Sequence, residues 1–231
     1  MVRELNILFT TNLNTLCIFD LDGTLVDTAP LVHSILNKML KSHDMHEIDI
    51  DCVKSSMTKT GATLISEVFD GLKCSEQMLK EFRASLEHAS GPLGIIYPGV
   101  KNLLDKLSLN PNIRMAICTN KPQHLALKTV SSCNLVDYFD TIIGSARGVP
   151  LKPNPYNVYK IIRNYKFEFD QVIFFGDSEV DQNTAYSADI DYIYFEHGYG
   201  SYDKNIQKEM RRNQRRCTYL KTNFITSSKN C

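Results

Sequence analysis

The sequence predicts an α/β fold: a Rossmann-like open parallel sheet that forms a core, with a small α-helical cap domain inserted into it. Two observations support this prediction. Short apolar runs that end in small or polar residues alternate with helical patterns in the second half of the chain. Between residues 29 and 98, apolar residues instead recur at helical spacing, and no strand is evident. Strand–helix alternation favours an open sheet with right-handed crossovers, and the helical stretch is then an insertion into it.

Five apolar runs are predicted to be buried strands of the sheet. They comprise residues 16–19, 114–118, 141–143, 172–175 and 192–195. Helical patterns accompany the later runs, at residues 100–107, 123–133, 155–165 and 181–187. A strand that is covered by helices on both faces is apolar throughout, which explains why these runs show no alternation.

The helical insertion is predicted from three sets of apolar residues with helical spacing. The sets are Leu31, Ile35, Leu36 and Met39; Leu64, Ile65, Val68 and Phe69; and Met78, Leu79, Phe82 and Leu86. Turns at Gly91-Pro92 and at Tyr97-Pro98-Gly99 mark the exit from the insertion. We therefore predict a discontinuous core of residues 1–28 and 99–203, a cap of residues 29–98, and a basic tail of residues 204–231.

The charges are unevenly distributed along the chain, although 26 basic and 26 acidic residues give a net charge of zero. Residues 204–231 hold eight basic residues and one acidic residue. A basic segment can bind nucleic acid or a membrane surface. This one contains only two aromatic residues, Tyr219 and Phe224, and no RNA-binding motif. We therefore favour a solvated helix with a frayed end, and we expect no nucleic-acid partner.

Cysteine usage and hydropathy predict a cytoplasmic protein. The seven cysteines include no CxxC pair, which fits free thiols in a reducing compartment. No apolar run approaches the roughly 18 residues that cross a bilayer, and residues 1–15 show no signal-peptide cleavage site. We expect no membrane partner, and a monomer or a homodimer.

Polar residues with catalytic potential follow four of the predicted strands. These residues are Asp20, Asp22, Gly23 and Thr24 after the first strand; Thr119, Asn120 and Lys121 after the second; Lys152 beyond the third; and Asp177, Ser178 and Asp181 after the fourth. In an open α/β sheet, ligands bind beyond the carboxyl ends of the strands, so we expect these side chains to converge. Hard oxygen ligands without a His or Cys cluster favour Mg²⁺ over zinc.

These residue types suit phosphoryl transfer. An aspartate can attack phosphorus and form an aspartyl-phosphate, which divides one difficult displacement into two easier ones. A cation must neutralise the repulsion between carboxylate and phosphate, while a lysine and a hydroxyl hold the phosphoryl oxygens. A second acid must protonate the leaving alkoxide and then activate water. Asp20 and Asp22 could divide these two tasks, and Gly23 allows the tight turn that brings both to one phosphate.

The segment FDLDGTLVDT at residues 19–28 resembles the first motif of the haloacid dehalogenase-like phosphatases, and three further motifs follow in the family's order at Thr119, at Lys152 and at residues 176–181. The resemblance implies that Asp20 is the nucleophile and Asp22 the general acid and base. It also implies that Thr119 and Lys152 bind the phosphoryl group. Residues 29–98 look like the small helical cap of this family.

The resemblance further implies a magnesium site and its supporting residues. Mg²⁺ would lie between the Asp20 carboxylate, the backbone carbonyl of Asp22 and Asp177. Asp181 would orient either Lys152 or the waters on the metal. Gly23, Thr24 and Ser178 are expected to support the site. Asn120 is expected either to contact the phosphate or to cap the helix that begins near Lys121-Pro122.

Within the family, the closest resemblance is to phosphoglycolate phosphatases. It is carried by YPGV at 97–100, TNKP at 119–122, LKPNP at 151–155, FFGDSEVD at 174–181 and HGYG at 197–200. It implies a small phosphate ester as substrate, with 2-phosphoglycolate as the leading candidate. The alternatives are a sugar-phosphate or pyrophosphate phosphatase, a phosphotransferase similar to β-phosphoglucomutase, and a non-catalytic binding protein.

Substrate specificity is expected to come from the cap, and residues 57–62 are the best candidate loop. Gly61 fits the glycine-containing stretch that related phosphatases place over the active site, whereas Lys59 and Thr60 depart from it. Lys59 could contact a substrate carboxylate or a second phosphate, or it could simply be solvated. Asp27 is predicted to be structural, because it lies where the chain leaves for the cap. His197 is predicted to turn the chain rather than to bind ligand.

Overall fold

The computed structural model describes residues 12–69, 75–212 and 217–220, with side chains up to Met210. Its strands are β1 Thr15–Phe19, β2 Val26–Asp27, β3 Ile95–Ile96, β4 Ile113–Pro122, β5 Thr141–Ser145, β6 Gln171–Gly176, β7 Asp191–Phe195 and β8 Cys217–Leu220. Its α-helices are α1 Ala29–Ser42, α2 Ile50–Lys54, α3 Gly61–Val68, α4 Glu76–His88, α5 Val100–Ser108, α6 Gln123–Ser132, α7 Tyr156–Arg163, α8 Glu179–Ser187 and α9 Lys204–Arg212.

The main sheet has six strands in the order β5-β4-β1-β6-β7-β8, and every neighbouring pair is parallel. The predicted fold class, a Rossmann-like open parallel sheet with inserted helices, is confirmed. All five predicted strands are present, and each is longer than its apolar run. Strand β6, for example, begins at the polar residue Gln171, because only the covered middle of a parallel strand needs to be apolar.

Helices cover both faces of the sheet, and the central strand β1 shows how the two faces are built. Its side chains point alternately to opposite sides. Cys17 and Phe19 join the core cluster that contains apolar residues of α5 and α6, whereas Leu16 and Ile18 join the cluster that contains residues of α7 and α8. All four side chains are fully buried, so β1 is apolar from Leu16 to Phe19, at the centre of the sheet.

Helices α1 to α4 form a separate hydrophobic cluster between β2 and β3 in the chain. Its members include residues from the three predicted apolar sets, such as Ile35, Leu64 and Phe82. Leu31, Met78 and Leu79 lie at its border and are only partly buried. Leu125 of the core helix α6 also belongs to this cluster. The helical insertion therefore packs against the core at the side where α6 begins.

Two short strands lie at the crossings between the core and the inserted helices. Val26 pairs with Ile96, and Asp27 pairs with Ile95, in antiparallel register. We predicted no strand between residues 29 and 98, and the structure differs at β3. The reason is that a two-residue strand is too short to show any hydrophobic period.

The segment predicted as a basic tail contributes to the sheet, which differs from our boundary at residue 203. Helix α9 buries Met210 against the core and packs Ile206 beside it. Strand β8 pairs with β7 in parallel register, from Tyr192 opposite Cys217 to Phe195 opposite Leu220. The surrounding basic residues concealed this four-residue strand in the sequence. Residues 213–216 and 221–231 of the predicted tail lie outside the described residues, as do residues 1–11.

The described helices include none with the length and apolar character that a membrane crossing requires. The free thiols of Cys17, Cys118 and Cys133 are buried in the core, and that of Cys52 is exposed.

Candidate active site

Asp20 lies immediately after the central strand β1, and the sheet fixes its backbone. Its N–H donates to the carbonyl of Phe175 at 2.9 Å, so the residue is anchored to the neighbouring strand β6. Only 9% of Asp20 is exposed. Burial raises the pKa of its carboxyl group to about 6, an effect that the nearby charges of Asp181 and Asp22 reinforce and that of Lys152 opposes.

Lys152 forms the cationic centre of the site. Its Nζ lies 2.8 Å from Oδ1 of Asp20 and donates to Oδ1 of Asp181 at 2.6 Å. Burial lowers the pKa of this lysine, but the charges of Asp181 and Asp20 outweigh that effect, so its pKa lies above the ordinary value. The ammonium group is therefore permanently charged at the end of β1.

Asn120 holds the backbone of Lys152 in place. Its Nδ2 donates to the Lys152 carbonyl at 3.1 Å, and its Oδ1 accepts from the Lys152 N–H at 2.8 Å. The expectation that Asn120 caps the following helix is wrong, because Pro122 occupies the N-cap position of α6 and no side chain caps it. Asn120 and Thr119 line the same cavity as Lys152.

Asp181 accepts a hydrogen bond from Lys152, a contact that fits one of the two roles expected of it. Its Oδ2 accepts from Ser178 Oγ at 2.7 Å and from Ser178 N at 3.2 Å, forming a capping box at the start of α8. With Oδ2 fixed in this way, Oδ1 faces the Lys152 ammonium. The motif at residues 176–181 thus uses a helix cap to place a charged side chain.

Asp177 is held by several donors and is almost completely buried. Thr24 Oγ1 donates to its Oδ1 at 3.0 Å, and the N–H of Tyr199 donates to its Oδ2 at 2.8 Å. Burial, together with the charges of Asp181 and Asp20, raises the pKa of Asp177 well above its ordinary range. A neighbouring positive charge would offset the free-energy cost of burying the ionised carboxylate and would lower the pKa again.

The acidic cluster fits a divalent cation. Carboxylate oxygens of Asp20, Asp177 and Asp181 all lie within 4.8 Å of one another, and all three residues are buried. Lys152 supplies one positive charge against these three carboxylates. Although Lys152 Nζ is close, Oδ1 of Asp20 makes no well-aligned hydrogen bond with any described residue. An oxygen-only donor set with excess negative charge matches the ligand preference of Mg²⁺.

Asp22 lies next to Asp20 in the chain but is held by different partners. Lys121 Nζ donates to both of its carboxylate oxygens, at 3.0 and 3.1 Å, and Thr28 Oγ1 donates to Oδ1 at 2.9 Å. Asp22 and Lys121 both line the cavity. We did not assign Lys121 a role from the sequence, although it lies within the TNKP motif.

A cavity of about 440 Å³ opens between the core residues and the inserted helices. The core contributes Asp20, Asp22, Thr119, Lys152 and Asp177 to its lining, which brings together the polar ends of β1, β4 and β6 with the loop after β5. Gly23 and Thr24 lie behind this surface. Gly23 has a φ of +86°, and a Cβ added to it would lie 2.3 Å from Oδ2 of Asp177.

The three cap residues expected to set specificity also line the cavity. Lys59 Nζ pairs with Oε1 of Glu67 at 2.6 Å, and this glutamate also accepts from Ser56 Oγ. Thr60 accepts from the Thr63 N–H and so caps helix α3, which begins at Gly61. Lys59 is therefore already paired with a carboxylate of the inserted helices, and Thr60 serves as the N-cap of helix α3 at the edge of the cavity.

Tyr199 connects the acidic cluster to the start of the inserted helices. While its N–H binds Asp177, its hydroxyl donates to Oδ1 of Asp27 at 2.6 Å and accepts from the N–H of Thr28 at 2.7 Å. These contacts fit the prediction that Asp27 is a structural residue at the crossing. Tyr199 lies in the HGYG segment that the resemblance included, but the sequence alone gave its hydroxyl no role.

His197 lies behind the site and not in the cavity lining that the structure describes. Its Nε2 lies 2.9 Å from the Thr24 carbonyl, and its ring packs against that of Tyr97 with 4.1 Å between centroids. These contacts fit the prediction that His197 turns the chain.

Comparison with known proteins shows which family this chain resembles. The family described as haloacid dehalogenase-like hydrolase matches residues 17–195. Phosphoglycolate phosphatase of Rhodobacter capsulatus is 30% identical over 194 residues, which cover 79% of this chain and 84% of that protein. Phosphoglycolate phosphatase of Cereibacter sphaeroides is 31% identical over 189 residues, with 79% and 85% covered.

Solved structures show the same fold. A predicted phosphoglycolate phosphatase from Haemophilus somnus has a TM-score of 0.74 and 22% identity, with 96% of this chain and 100% of that chain covered. A haloacid dehalogenase-like hydrolase from Bacteroides fragilis has a TM-score of 0.72 and 23% identity, with 89% and 96% covered. The chain therefore belongs to the haloacid dehalogenase-like hydrolase family and is one of its phosphatases.

Proposed function

We propose that this phosphatase hydrolyses small phosphate monoesters through an aspartyl-phosphate on Asp20, that it depends on Mg²⁺, and that 2-phosphoglycolate is its leading substrate. One observation carries the mechanism: a buried aspartate at the end of the central strand lies 2.8 Å from a buried lysine and beside two further carboxylates. The substrate is suggested by the relatives named phosphoglycolate phosphatase.

In the first step, a carboxylate oxygen of Asp20 attacks phosphorus, and the bond between phosphorus and the leaving oxygen breaks. Asp22 donates a proton to that oxygen, so the product leaves with a hydroxyl group and not as an alkoxide. Lys152 and Thr119 hold the non-bridging phosphoryl oxygens at the cavity floor, with Asn120 fixing the Lys152 backbone there. The lysine stays in place because Asp181 accepts from it at 2.6 Å.

In the second step, Asp22 takes a proton from water, which attacks phosphorus and displaces the Asp20 carboxylate. Phosphate is released and both aspartates return to their starting states. Asp20 and Asp177, with the backbone carbonyl of Asp22 that the resemblance implies, would hold Mg²⁺, which neutralises charge between carboxylate and phosphate when it is bound. The inserted helices would exclude bulk water while the acyl phosphate exists.

The central experiment is the variant Asp20→Asn. We expect magnesium-dependent release of phosphate to fall by at least about a thousandfold, because the nucleophile is lost while the fold is kept. Asp137→Asn, which changes an exposed aspartate outside the cavity lining, is the matched control. Full activity in Asp20→Asn would refute the mechanism. Activity of the unchanged enzyme after removal of Mg²⁺ with EDTA would refute the metal dependence.

A substrate panel tests the remaining part of the proposal. Phosphoglycolate, sugar phosphates, nucleotides and pyrophosphate are compared by release of free phosphate. Phosphoglycolate is expected to give the highest kcat/KM. Formation of an isomeric sugar phosphate without phosphate release would instead show transfer to a sugar hydroxyl, and would contradict the assignment as a hydrolase.

A further inference from the structure

The cavity has two walls of different chemistry. The core side carries the aspartates, Thr119 and Lys152, whereas the side formed by the inserted helices is mainly apolar. The apolar residues on that side include Val32, Leu64, Leu79, Phe82 and Leu86. Arg83 lies among them on helix α4 and lines the same cavity. Arg83 therefore places a positive charge in an otherwise mainly apolar wall, across the cavity from Asp20 and Lys152.

The other cations that line the cavity are each bound to a carboxylate. Lys152 pairs with Asp20 and Asp181, Lys121 pairs with Asp22, and Lys59 pairs with Glu67. Among the described residues, by contrast, Arg83 makes neither an ion pair nor a hydrogen bond, and its side chain is exposed. Within the part of the chain that the structure describes, Arg83 is therefore the cation lining this cavity that has no carboxylate partner.

We propose that Arg83 is a specificity-determining residue that binds the anionic end of the leaving group, and that the substrates are phosphate esters of short hydroxycarboxylic acids. This inference rests on the proposed function, which places the phosphoryl group against Asp20 and Lys152. The leaving group then extends from the core floor toward the cap wall. A guanidinium group binds a carboxylate through two parallel hydrogen bonds, which suits a carboxylate at the far end of the substrate.

The cap wall also explains how an exposed arginine can discriminate between substrates. In open solvent, an ion pair contributes little to binding. When the cap closes, the surrounding apolar side chains displace water, and the same pair lies in a medium of lower dielectric constant. An ester without a negative charge on its leaving group gains nothing from Arg83, since its alcohol portion meets only the apolar wall.

The experiment compares Arg83→Gln with the unchanged enzyme on two substrates of similar size. One is 2-phosphoglycolate, and the other is propyl phosphate, whose leaving alcohol is uncharged. We expect Arg83→Gln to lower kcat/KM for phosphoglycolate about 10- to 100-fold, mainly through KM, since hydrogen bonds to a charged group are lost. For propyl phosphate, kcat/KM should stay within about twofold, because no interaction with Arg83 is removed.

Lys80→Gln is the matched control, because Lys80 lies on the same helix, is exposed, and pairs with Glu76 of its own helix. Lys80→Gln should leave kcat/KM unchanged for both phosphoglycolate and propyl phosphate. Arg83→Lys should retain part of the preference for phosphoglycolate over propyl phosphate, because a single point charge replaces a bidentate contact.

Two outcomes overturn the inference while leaving the proposed function intact. Either Arg83→Gln hydrolyses both esters as the unchanged enzyme does, or it loses activity on both equally. Failure of the unchanged enzyme to hydrolyse any monoester refutes the proposed function, and the inference with it.

Discussion

The ammonium group of Lys121 lies 3.0 Å from Oδ1 and 3.1 Å from Oδ2 of Asp22. Both side chains are largely withdrawn from solvent, with 10% of Lys121 and 19% of Asp22 exposed. Thr28, just before the first inserted helix, donates to Oδ1 of the same carboxylate. The proposed proton carrier is thus fixed from two sides, by the end of strand β4 and by the crossing to the cap.

The first prediction concerns this contact. Lys121→Met should lower kcat for propyl phosphate by about 10- to 100-fold, because a poorly positioned Asp22 protonates the alkoxide less effectively. The first turnover of p-nitrophenyl phosphate should be much less affected, since that leaving group departs without a proton. Rapid-mixing measurements of nitrophenol release, beside steady-state phosphate release from propyl phosphate, would check both expectations.

Lys160→Met serves as the control for Lys121→Met, because Lys160 is exposed on helix α7 and does not line the cavity. Equal losses for the two leaving groups in Lys121→Met would show that the lysine acts on phosphate binding instead of proton transfer.

The second prediction concerns stability in the absence of metal. The pKa of Asp20 is raised by burial to about 6 in the folded protein, against 3.8 as the ordinary value. Between these two values the folded state binds more protons than the unfolded state. The free energy of unfolding therefore falls as pH rises from about 4 to about 6, and the loss is complete above that range.

Asp20→Asn removes the cost of burying this charge, so the metal-free variant should be more stable than the unchanged protein at pH 7.5. The gain is at most about 3 kcal/mol, at about 1.4 kcal/mol for each pH unit between the two pKa values. Near pH 4 the two proteins should be equally stable. Urea denaturation in EDTA at both pH values tests this, and a less stable variant at pH 7.5 would contradict it.

Saturating Mg²⁺ provides the complementary measurement. A cation that binds only the folded state stabilises it in proportion to its affinity. The unchanged protein should gain more from Mg²⁺ than Asp20→Asn does, because it keeps all of its carboxylate ligands. An equal gain in both proteins would indicate that Asp20 does not contribute to the site.

The sequence was sufficient to predict that polar side chains converge at one edge of the sheet, and the reason is topological. Asp20, Thr119 and Asp177 each follow an apolar run, and parallel strands end at the same edge, so their convergence follows from strand order alone. Lys152 was predictable only from the order of the family's motifs, since a lone lysine in a loop carries no such signal.

Other parts of the site depend on tertiary contacts that leave no pattern in the sequence. Arg83 reads as one more charged residue on the polar face of an amphipathic helix, and only the packing of α4 over the core brings it to the cavity. The hydroxyl of Tyr199 reaches Asp27 across 172 positions of the chain. Strand β8 is short and lies among basic residues, so its local composition favoured a tail.

The third prediction concerns the close packing of Gly198 on Asp177. A Cβ added to Gly198 would lie 2.2 Å from the Cβ and 2.3 Å from Oδ2 of Asp177, which is far shorter than any normal contact. Gly198→Ala should therefore displace Asp177 and destabilise the fold by about 1–3 kcal/mol. The Mg²⁺ concentration that gives half-maximal activity should rise about tenfold or more if about 1.4 kcal/mol of binding is lost.

Gly148→Ala is the control for this prediction. Gly148 has a φ of +78° and nothing within 4 Å of its added Cβ, so the change introduces backbone strain without touching the site. It should lower stability while leaving the magnesium requirement unchanged. A similar shift in magnesium requirement for both variants would show that the effect at Gly198 is general destabilisation.

The fourth prediction concerns the Tyr199 hydroxyl, which joins the acidic cluster to the crossing into the cap. Tyr199→Phe removes a donor to Asp27, which is half-buried, and an acceptor for the N–H of Thr28, which is buried. The free energy of unfolding should fall by about 1–3 kcal/mol, the cost of leaving a buried polar group unpaired. In Tyr159→Phe, which removes an exposed 3.3 Å contact to the Ser187 carbonyl, it should change by less than about 0.5 kcal/mol.

The kinetics of Tyr199→Phe show whether the hydroxyl acts on the crossing into the cap or on the metal site. The Tyr199 N–H, which binds Asp177 at 2.8 Å, is unchanged in the variant, so the magnesium requirement should stay close to that of the unchanged enzyme. The loosened crossing should instead raise KM, because a cap that is less well anchored closes over the substrate less often. Magnesium titrations beside substrate titrations distinguish the two effects. A raised magnesium requirement with an unaltered KM would show that the hydroxyl acts through Asp177 and not through the crossing.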